Sequence, residues 1–435
     1  MIRGAVLPLG AIAALAGLAA SRADEVSLAS WPLVSPALPA VTEVFPRLPE
    51  NWRDLPLQLH MTESAGYNSN FLNIPTGAGA SAFARGRPVG AMQSISTYGA
   101  SFKNEVGGQQ FFADGSWGMY RYLNNDRYNT AHSSADIGDN FTYGSKCAGS
   151  LKASYNSAPS LPGQQLGVNV INTLTTVSAN ENAKCFISGE FSGILNSGYT
   201  DSQNSAALDK VNNYRSVFVA AGVSYTISET NSLQVLATLT GTDYTNRQAA
   251  VNTTGLVEKL TTDQIMATYT KNFGPNLALS AQFGVLGHEN DYFGVGVPKG
   301  IVPQYSFNVQ WAATPKLSLT AAVSRLASAP TTVLSNLQIT ENATAGFAYR
   351  ATPKVTVGGN IVATYSTGAA TRAFVSTILN TYTQSQRTFG GGANVKYEIS
   401  PFLTANLSYQ YTRSVQSTLT YNTSLILLAL NLNPY

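Results

Sequence analysis

The sequence predicts a transmembrane antiparallel up-and-down β-barrel of about 18 strands, with short periplasmic turns and long extracellular loops. Three observations lead to this fold class. Only 11% of the 435 residues are charged, whereas soluble domains average roughly 25%. After the N-terminus, no stretch offers the roughly 20 consecutive apolar residues of a membrane-spanning helix. Apolar and polar side chains instead alternate with a period of two, as the two faces of a β-strand require.

The clearest unit of this pattern runs from Tyr305 to Ser324 and predicts a β-hairpin. Apolar side chains occupy every second position on both sides of Thr314-Pro315-Lys316, and small polar residues fill most positions between them. Proline cannot donate to a strand ladder, so it marks the turn. The same unit recurs around Thr352-Pro353-Lys354 and Ser400-Pro401-Phe402, which predicts a repeating array of hairpins.

Eight tight turns set the predicted strand count. We place them at Gly107-Gly108, Tyr143 to Lys146, Asn180 to Ala183, Glu229 to Asn231, Gly274 to Asn276, Thr314 to Lys316, Thr352 to Lys354 and Ser400 to Phe402. Eight hairpins and one further strand at each end make about 18 strands, with both ends on the periplasmic side. Sixteen strands is the alternative, because the alternation is irregular between Val170 and Leu174.

The first 23 residues are predicted to be a secretory signal peptide. Arg3 precedes an apolar run from Ala5 to Ala20, and small residues favour cleavage after Ala23. Residues 24–55 are rich in proline and predict an extended periplasmic lead-in, after which the barrel occupies residues 56–435. Export together with alternating strands predicts the outer membrane of a Gram-negative bacterium, because a bilayer accepts sheets only as closed barrels.

The polar phase of the strands should face the lumen, and a barrel of this width holds water. The candidate pore-lining residues are Asp114, Lys152, Glu190, Asn308, Gln310, Arg350, Lys396, Glu398, Asn406 and Gln410. Both signs of charge are present, which argues against strong ion selectivity. The neutral amides and hydroxyls between them suit a hydrated polyol, although any water-filled barrel contains such groups.

Aromatic residues near strand ends are predicted to form two girdles at the membrane interfaces, where amphipathic rings are most stable. They are Trp117, Tyr155, Tyr225, Tyr269, Trp311, Tyr349, Tyr397 and Tyr411. Phe112 and Tyr120 are the few aromatic residues expected to point into the barrel.

Cys147 and Cys185 are the only cysteines. The envelope beyond the inner membrane is oxidising, so a disulfide is chemically allowed. The predicted turns, however, place the two residues at the starts of the fifth and seventh strands. Two strand spacings of about 4.8 Å would put their Cα atoms roughly 10 Å apart, beyond the usual disulfide limit of about 7 Å. This geometry disfavours a bridge unless a turn moves to close the gap.

The sequence predicts no enzymatic, metal or cofactor site. His60, His132 and His288 are far apart in the chain and lack metal-ligand spacing with cysteine or carboxylate. No glycine-rich phosphate loop is present in the pattern. The formal net charge of +3 is too small to predict nucleic-acid binding.

At Gly66-Tyr67-Asn68-Ser69-Asn70-Phe71, and in the repeated Thr-Pro-Lys hairpins, the chain resembles the β-barrel porins encoded beside exopolysaccharide-biosynthesis genes. The likeness covers about Pro56 to the C-terminus and brings no catalytic residues. It implies a conduit or accessory for surface polysaccharide that acts with a periplasmic export apparatus. A general small-solute porin and a structural or adhesive barrel without an open pore are the alternatives. The expected partners are outer-membrane lipid, lipopolysaccharide and the barrel-assembly machinery.

Overall fold

The computed structural model describes thirteen stretches of the chain. They are residues 57–71, 90–123, 125–144, 146–160, 172–207, 210–246, 258–292, 295–296, 300–328, 335–370, 385–400, 403–416 and 419–432. The predicted signal peptide and proline-rich lead-in lie outside these residues, so both stay predictions. Within these ranges, no helix is long and apolar enough to cross a membrane.

Almost all of the described chain is β-strand. The long strands are β1 (Leu57–Asn68), β2 (Ala91–Val106), β3 (Gln109–Tyr122), β4 (Thr130–Tyr143), β5 (Cys147–Ser160), β6 (Asn172–Ser188), β7 (Phe191–Asn204), β8 (Tyr214–Ser228), β9 (Asn231–Tyr244), β10 (Glu258–Phe273), β11 (Leu277–Tyr292), β13 (Gly300–Thr314), β14 (Leu317–Ser328), β15 (Ser335–Thr352), β16 (Val355–Ala370), β17 (Ser385–Ser400), β18 (Leu403–Gln416) and β19 (Leu419–Leu432). A two-residue strand, β12 (Val295–Gly296), pairs with the end of β11. Short 3-10 helices occupy Asp126–Tyr128 and Lys210–Asn212. The predicted antiparallel barrel of 18 strands is confirmed.

The barrel is closed. Each long strand pairs antiparallel with its neighbours in the chain, and β1 pairs with both β2 and β19. Closure pairs each of the eighteen long strands on both sides, which avoids the long unpaired sheet edge of an open sheet. Eighteen strands about 4.8 Å apart and tilted by about 40° enclose a cylinder roughly 36 Å across at the Cα atoms. This width accommodates inward side chains and a lumen between them.

The two ends of the barrel differ. The eight tight turns lie together at one end, which we call the turn end, and the start of β1 and the end of β19 lie there too. The remaining connections lie at the opposite end, which we call the loop end. This arrangement matches the even-stranded topology that the sequence predicts.

Strand register sorts the residues into an inner and an outer phase, because directly paired residues share a face of the sheet. Trp311 on β13 pairs with Leu277 on β11 and Leu319 on β14. The exposed large apolar side chains fall almost entirely on this phase, which is the outer surface. The adjacent phase, which includes Asn308 and Gln310, faces the interior.

Threonine side chains hold the two Thr-Pro-Lys turns. The Thr314 hydroxyl accepts hydrogen bonds from the backbone N–H groups of Lys316 and Leu317, at 3.2 and 3.0 Å. Thr352 makes the equivalent bonds to Lys354 and Val355 at 3.3 and 3.1 Å. A side-chain oxygen in this position replaces a backbone turn acceptor, which explains why this motif marks these turns in the sequence.

One predicted turn is wrong. Asn180 to Ala183 lies inside β6, and the chain reverses at Gly189-Glu190 instead. Gly189 adopts a φ of +56°, a left-handed conformation that glycine reaches without steric cost. The polar run fits a strand because its asparagines belong to the inner phase, while the outward Glu181 accepts a 2.8 Å hydrogen bond from Ser197.

This shift of one turn also overturns the predicted separation of the cysteines. Cys147 on β5 pairs directly with Cys185 on β6, with no strand between them. Their Cα atoms are 4.1 Å apart, and the two residues form a disulfide on the outer phase near the turn end. The geometric argument against a bridge was wrong because the sixth strand extends eight residues further than the misplaced turn implied.

The eight predicted girdle residues all belong to the outer phase. One group lies within four residues of the turns: Tyr225, Tyr269, Trp311, Tyr349 and Tyr397. The other group lies eight residues beyond the turns: Trp117, Tyr155 and Tyr411. Eight residues of about 3.3 Å, tilted by about 40°, rise roughly 20 Å above the turns. The two levels of aromatic residues therefore bracket an apolar band suited to a bilayer.

Candidate functional site: the inner face of the barrel

The register places nine of the ten candidate pore-lining residues on the inner phase. They are Asp114, Lys152, Asn308, Gln310, Arg350, Lys396, Glu398, Asn406 and Gln410. Glu190 differs, because it lies in the turn between β6 and β7, where its carbonyl accepts a hydrogen bond from Thr226 N–H. The sequence placed the turn at Asn180 to Ala183, and for that reason Glu190 was expected on a strand.

Charged groups on the described inner phase balance. The five basic residues are Lys103, Lys152, Lys184, Arg350 and Lys396, and the five acidic residues are Glu105, Asp114, Asp136, Glu258 and Glu398. Two close pairs form among them, Lys152 with Asp136 at 3.1 Å and Lys396 with Glu398 at 3.9 Å. The described inner wall therefore carries no net charge of its own.

The charges are also unevenly placed along the barrel axis. All of them except Glu258 lie within about seven residues of a turn, in the half of the barrel nearest the turn end. Glu258 begins β10 at the loop end and is only 1% exposed. Lys103, Glu105, Asp136, Lys184 and Glu258 were not among the predicted candidates, although extending the alternation along each strand would have found the first four.

A neutral wall extends across β7 to β14. Apart from Glu258 and His288, the described inward positions of these strands are hydroxyls, amides, small residues and a few apolar or aromatic side chains. Several of the polar groups bond across strands, as Ser216 does with Thr242 at 3.1 Å and Gln264 does with Gln304. We call this surface the neutral wall. Asn308 and Gln310 are exposed upon it.

The seam where the barrel closes has a different inner face. Leu425, Leu427 and Ala429 of β19 are inward and at most 7% exposed, and Thr62 and Ser64 of β1 are similarly buried. The predicted pore-lining residue Asn406 pairs with Ala429 and is only 8% exposed. This strip of wall is packed and does not contact lumen water, which explains why the last strand is apolar on both faces.

Each histidine lies inward over a glycine of a neighbouring strand. An added Cβ at Gly99 would meet the ring of His60, and the same holds for Gly118 with His132 and Gly300 with His288. Because glycine has no side chain, each histidine ring can occupy the space next to the glycine on the neighbouring strand. Among the residues that the structure describes, no three His, Cys, Asp or Glu side chains group to hold a metal ion.

Aromatic side chains pack at the loop end of the interior. Phe71 stacks on Tyr122 with ring centres 4.8 Å apart and meets Tyr128 edge to face at 5.3 Å. The rings of Tyr120 and His132 also pack edge to face, with their centres 5.0 Å apart. Inward aromatic residues are therefore more numerous than the sequence predicted, since Tyr122 follows Tyr120 in the same phase of β3. Their mutual packing fixes the chain between β3 and β4 against the mouth.

A cavity of about 480 Å³ opens inside the barrel near the turn end. Its lining includes Gln58, Ser101, Lys103, Gln110 and Asp114. These side chains come from the inner phases of β1, β2 and β3, so the cavity is a polar pocket of the lumen with one charge of each sign.

No protein-family model matches the chain. No curated protein matches it either. Among solved structures it is similar to the FrpB iron transporter from Neisseria meningitidis, with 12% identity and a TM-score of 0.48 over 82% of this chain and 62% of that one. The chain thus spans less than two thirds of that transporter's length.

Two porins are similar over nearly their whole length. A BenF-like porin from Pseudomonas fluorescens is 10% identical, with a TM-score of 0.47 over 86% of this chain and 98% of that one. OccK2 (OpdF) from Pseudomonas aeruginosa, solved with glucuronate, is 9% identical with a TM-score of 0.46 over the same shares. Residues of this chain's own barrel must therefore carry any functional argument.

Proposed function

We propose that the chain forms an outer-membrane channel of a Gram-negative bacterium that passes small, uncharged hydrophilic solutes by diffusion. The observation that carries this proposal is the neutral wall. Its hydroxyls and amides can exchange hydrogen bonds with a polyol or sugar in place of water. Over the described inner phase as a whole, five acidic residues cancel five basic ones, so neither anions nor cations have a strongly favoured path.

The outer surface supports the membrane location. Apolar side chains cover the outer phase between two levels of aromatic residues, and each of the eighteen long strands pairs with a neighbour on both sides. A surface of this kind is unfavourable in water, because contiguous exposed apolar area on soluble proteins is limited to a few hundred Å². In a bilayer the same surface is matched to the hydrocarbon.

Passage of a surface polysaccharide is the narrower candidate, and it comes from the resemblance in sequence pattern. The neutral wall would suit a polymer of uncharged sugars as well as a free sugar, because both present the same hydroxyl groups. A polymer differs only in occupying the lumen along its whole length. Periplasmic export proteins would then be needed to deliver it.

The first experiment is a single-channel measurement on the folded protein in a planar bilayer. We expect steady conductance steps with nearly equal permeability to potassium and chloride. Liposome-swelling rates should then be higher for neutral sugars than for charged sugars of equal size. The absence of conductance from protein that is shown to be folded would reject the channel and favour a structural barrel. Block by long oligosaccharides, but not by monosaccharides, would favour passage of a polymer.

Cysteine substitution provides a matched control for the lumen. Asn308→Cys places a thiol on the neutral wall, whereas Val309→Cys places one on the outer phase of the same strand. The two native cysteines form a disulfide and leave no competing thiol. A water-soluble, charged thiol reagent should change the conductance of Asn308→Cys and leave Val309→Cys unchanged. Equal effects on both variants would contradict the assigned faces.

A further inference from the structure

Two arginines lie side by side on the outer phase near the loop end. Arg387 is the third residue of β17, and Arg413 lies three residues before the end of β18. Arg413 pairs directly with Phe389, and Arg387 pairs with Val415, so the arginines are diagonal neighbours. Diagonal neighbours on one face have side-chain bases roughly 7–8 Å apart. Both side chains are exposed.

Neither arginine takes part in an ion pair within the described residues. The guanidinium of Arg387 lies 5.5 Å from the ring centre of Tyr365, which limits the positions it can take. The nearest acid in the same cross-strand row is Glu341, and Arg325 already bonds it at 2.6 Å. Within the part of the chain that the structure describes, the pair therefore presents two positive charges without an acidic partner.

An apolar surface lies directly below this pair. Arg413 is two residues beyond Tyr411, one of the aromatic residues that lie eight residues beyond the turns, and Phe389 beside Arg413 is 56% exposed on the outer phase. Further towards the turn end, Tyr409 and Leu407 continue the exposed apolar surface. Positive side chains therefore lie above an apolar surface. This arrangement is complementary to an amphiphile with an anionic head group and hydrocarbon chains.

The opposite side of the barrel shows that this arrangement is not general. Measured from the tight turn that adjoins each strand, Arg215 on β8 is as far along the barrel as Arg387 on β17. Asp201 on β7 is likewise as far along as Arg413 on β18. Asp201 bonds Arg215 at 3.0 Å, so the charges at that level cancel. Only on β17 and β18 does a second arginine replace the acid at these two positions.

We propose that Arg387 and Arg413 bind a phosphate group of an anionic glycolipid in the outer leaflet of the membrane. Guanidinium groups match phosphate oxygens with paired N–H donors, and two of them from adjacent strands can share one phosphate. The exposed rings and leucine below would contact the acyl chains. This inference rests on the membrane location in the proposed function, but not on whether the lumen conducts.

The test is a lipid titration of the delipidated full-length protein followed by native mass spectrometry. The probes are bisphosphorylated lipid A, dephosphorylated lipid A and inorganic phosphate. The variants are Arg387→Gln/Arg413→Gln and, as the matched control, Arg215→Gln. We expect the double variant to bind bisphosphorylated lipid A roughly 30-fold more weakly, since each arginine at a membrane surface contributes roughly fivefold in affinity.

Arg215→Gln should bind like the wild type, and dephosphorylated lipid A should not distinguish the variants. Equal affinity of the double variant and wild type would overturn the proposal, as would an equal loss in Arg215→Gln. Competition by inorganic phosphate alone would show a free-anion site in place of a lipid site. Planar-bilayer conductance of the same preparations separates the two proposals, because a silent barrel that still prefers lipid A rejects only the channel.

Discussion

At the residue scale, the inner wall depends on glycines that accommodate large rings. A Cβ at Gly99 would lie 1.9 Å from Nε2 of His60, so no side chain fits there while the ring keeps its place. Because Gly99 has no side chain, the His60 ring of the neighbouring strand can occupy that space on the wall.

Gly99→Ala should therefore force the His60 ring away from the wall and destabilise the barrel by about 1–3 kcal/mol. The measurement is urea unfolding of the protein refolded into lipid vesicles. Removing the ring as well, in Gly99→Ala/His60→Ala, should recover most of the loss. Gly241→Ala is the control, because nothing lies within 4 Å of its Cβ position. Equal losses at Gly99 and Gly241 would contradict the steric explanation.

A second residue-scale feature is the carboxylate of Glu181 on the outer phase of β6. Leu151 and Leu195 near it are exposed, so the carboxylate faces the apolar band, and within the described residues its hydrogen-bond partner is the Ser197 hydroxyl. Asp and Glu on the lipid face of a barrel are destabilising, although less so than Lys or Arg.

Glu181→Gln should keep the hydrogen bond to Ser197 and remove the charge. We expect the unfolding free energy in vesicles to rise by about 1 kcal/mol, because a neutral amide is easier to place in hydrocarbon than a carboxylate. The same substitution at Glu105, which is inward and exposed, provides the control and should change little. Destabilisation by Glu181→Gln would indicate that the carboxylate has a partner in the membrane, such as another protein.

At the element scale, the hairpin formed by β6 and β7 determines how β5 is attached to the barrel. Because β6 continues to Ser188, Cys185 comes opposite Cys147 and the two strands are joined covalently. The disulfide closes a loop of 38 residues that includes the connection between β5 and β6. A misplaced turn would have moved one cysteine a whole strand away.

Cys147→Ser/Cys185→Ser should lower the unfolding free energy by about 2–4 kcal/mol, since the bridge restricts the unfolded chain. Urea unfolding with and without a reducing agent measures the effect. Reduction should destabilise the wild type and leave the double variant unchanged. Wild-type protein that gains two alkylated cysteines without prior reduction would show that the bridge does not form.

At the scale of the whole molecule, the lumen is defined by how charge is distributed over eighteen strands. Equal numbers of acidic and basic residues on the described inner phase, together with the neutral wall across β7 to β14, make a passage without a strong electric field. Some strands balance locally, as Asp136 does with Lys152 and Lys396 with Glu398, but the overall equality of five acids and five bases comes from strands distributed around the barrel.

Asp114→Asn/Glu398→Gln should therefore make the channel select for anions. Removing two of the five inward acids leaves an excess of two positive charges on the described inner phase. The reversal potential in a potassium chloride gradient should shift towards that of chloride. Asp201→Asn, on the outer phase, should cause no shift. An unchanged reversal potential in the inner variant would show that these residues do not face the conducting path.

Much of the fold follows from the sequence, because alternation and turn chemistry are local. The hairpins around Thr314, Thr352 and Ser400, the strand count and the inner or outer phase of each strand can be read from neighbouring residues. The error at Asn180 to Ala183 has the same origin. A short polar run looks like a turn unless it is known that its asparagines face water inside the barrel.

What the sequence alone determined is thus the class of fold, its topology and the phase of its side chains. The tertiary structure decided which residues meet across paired strands, both consecutive ones and those that close the barrel. Closure brought β19 against β1 and buried Asn406 in the seam, and register brought Cys147 to Cys185 and Arg387 to Arg413. These contacts depend on the register around a closed sheet, where an error in one turn changes which residues of the adjoining strands meet.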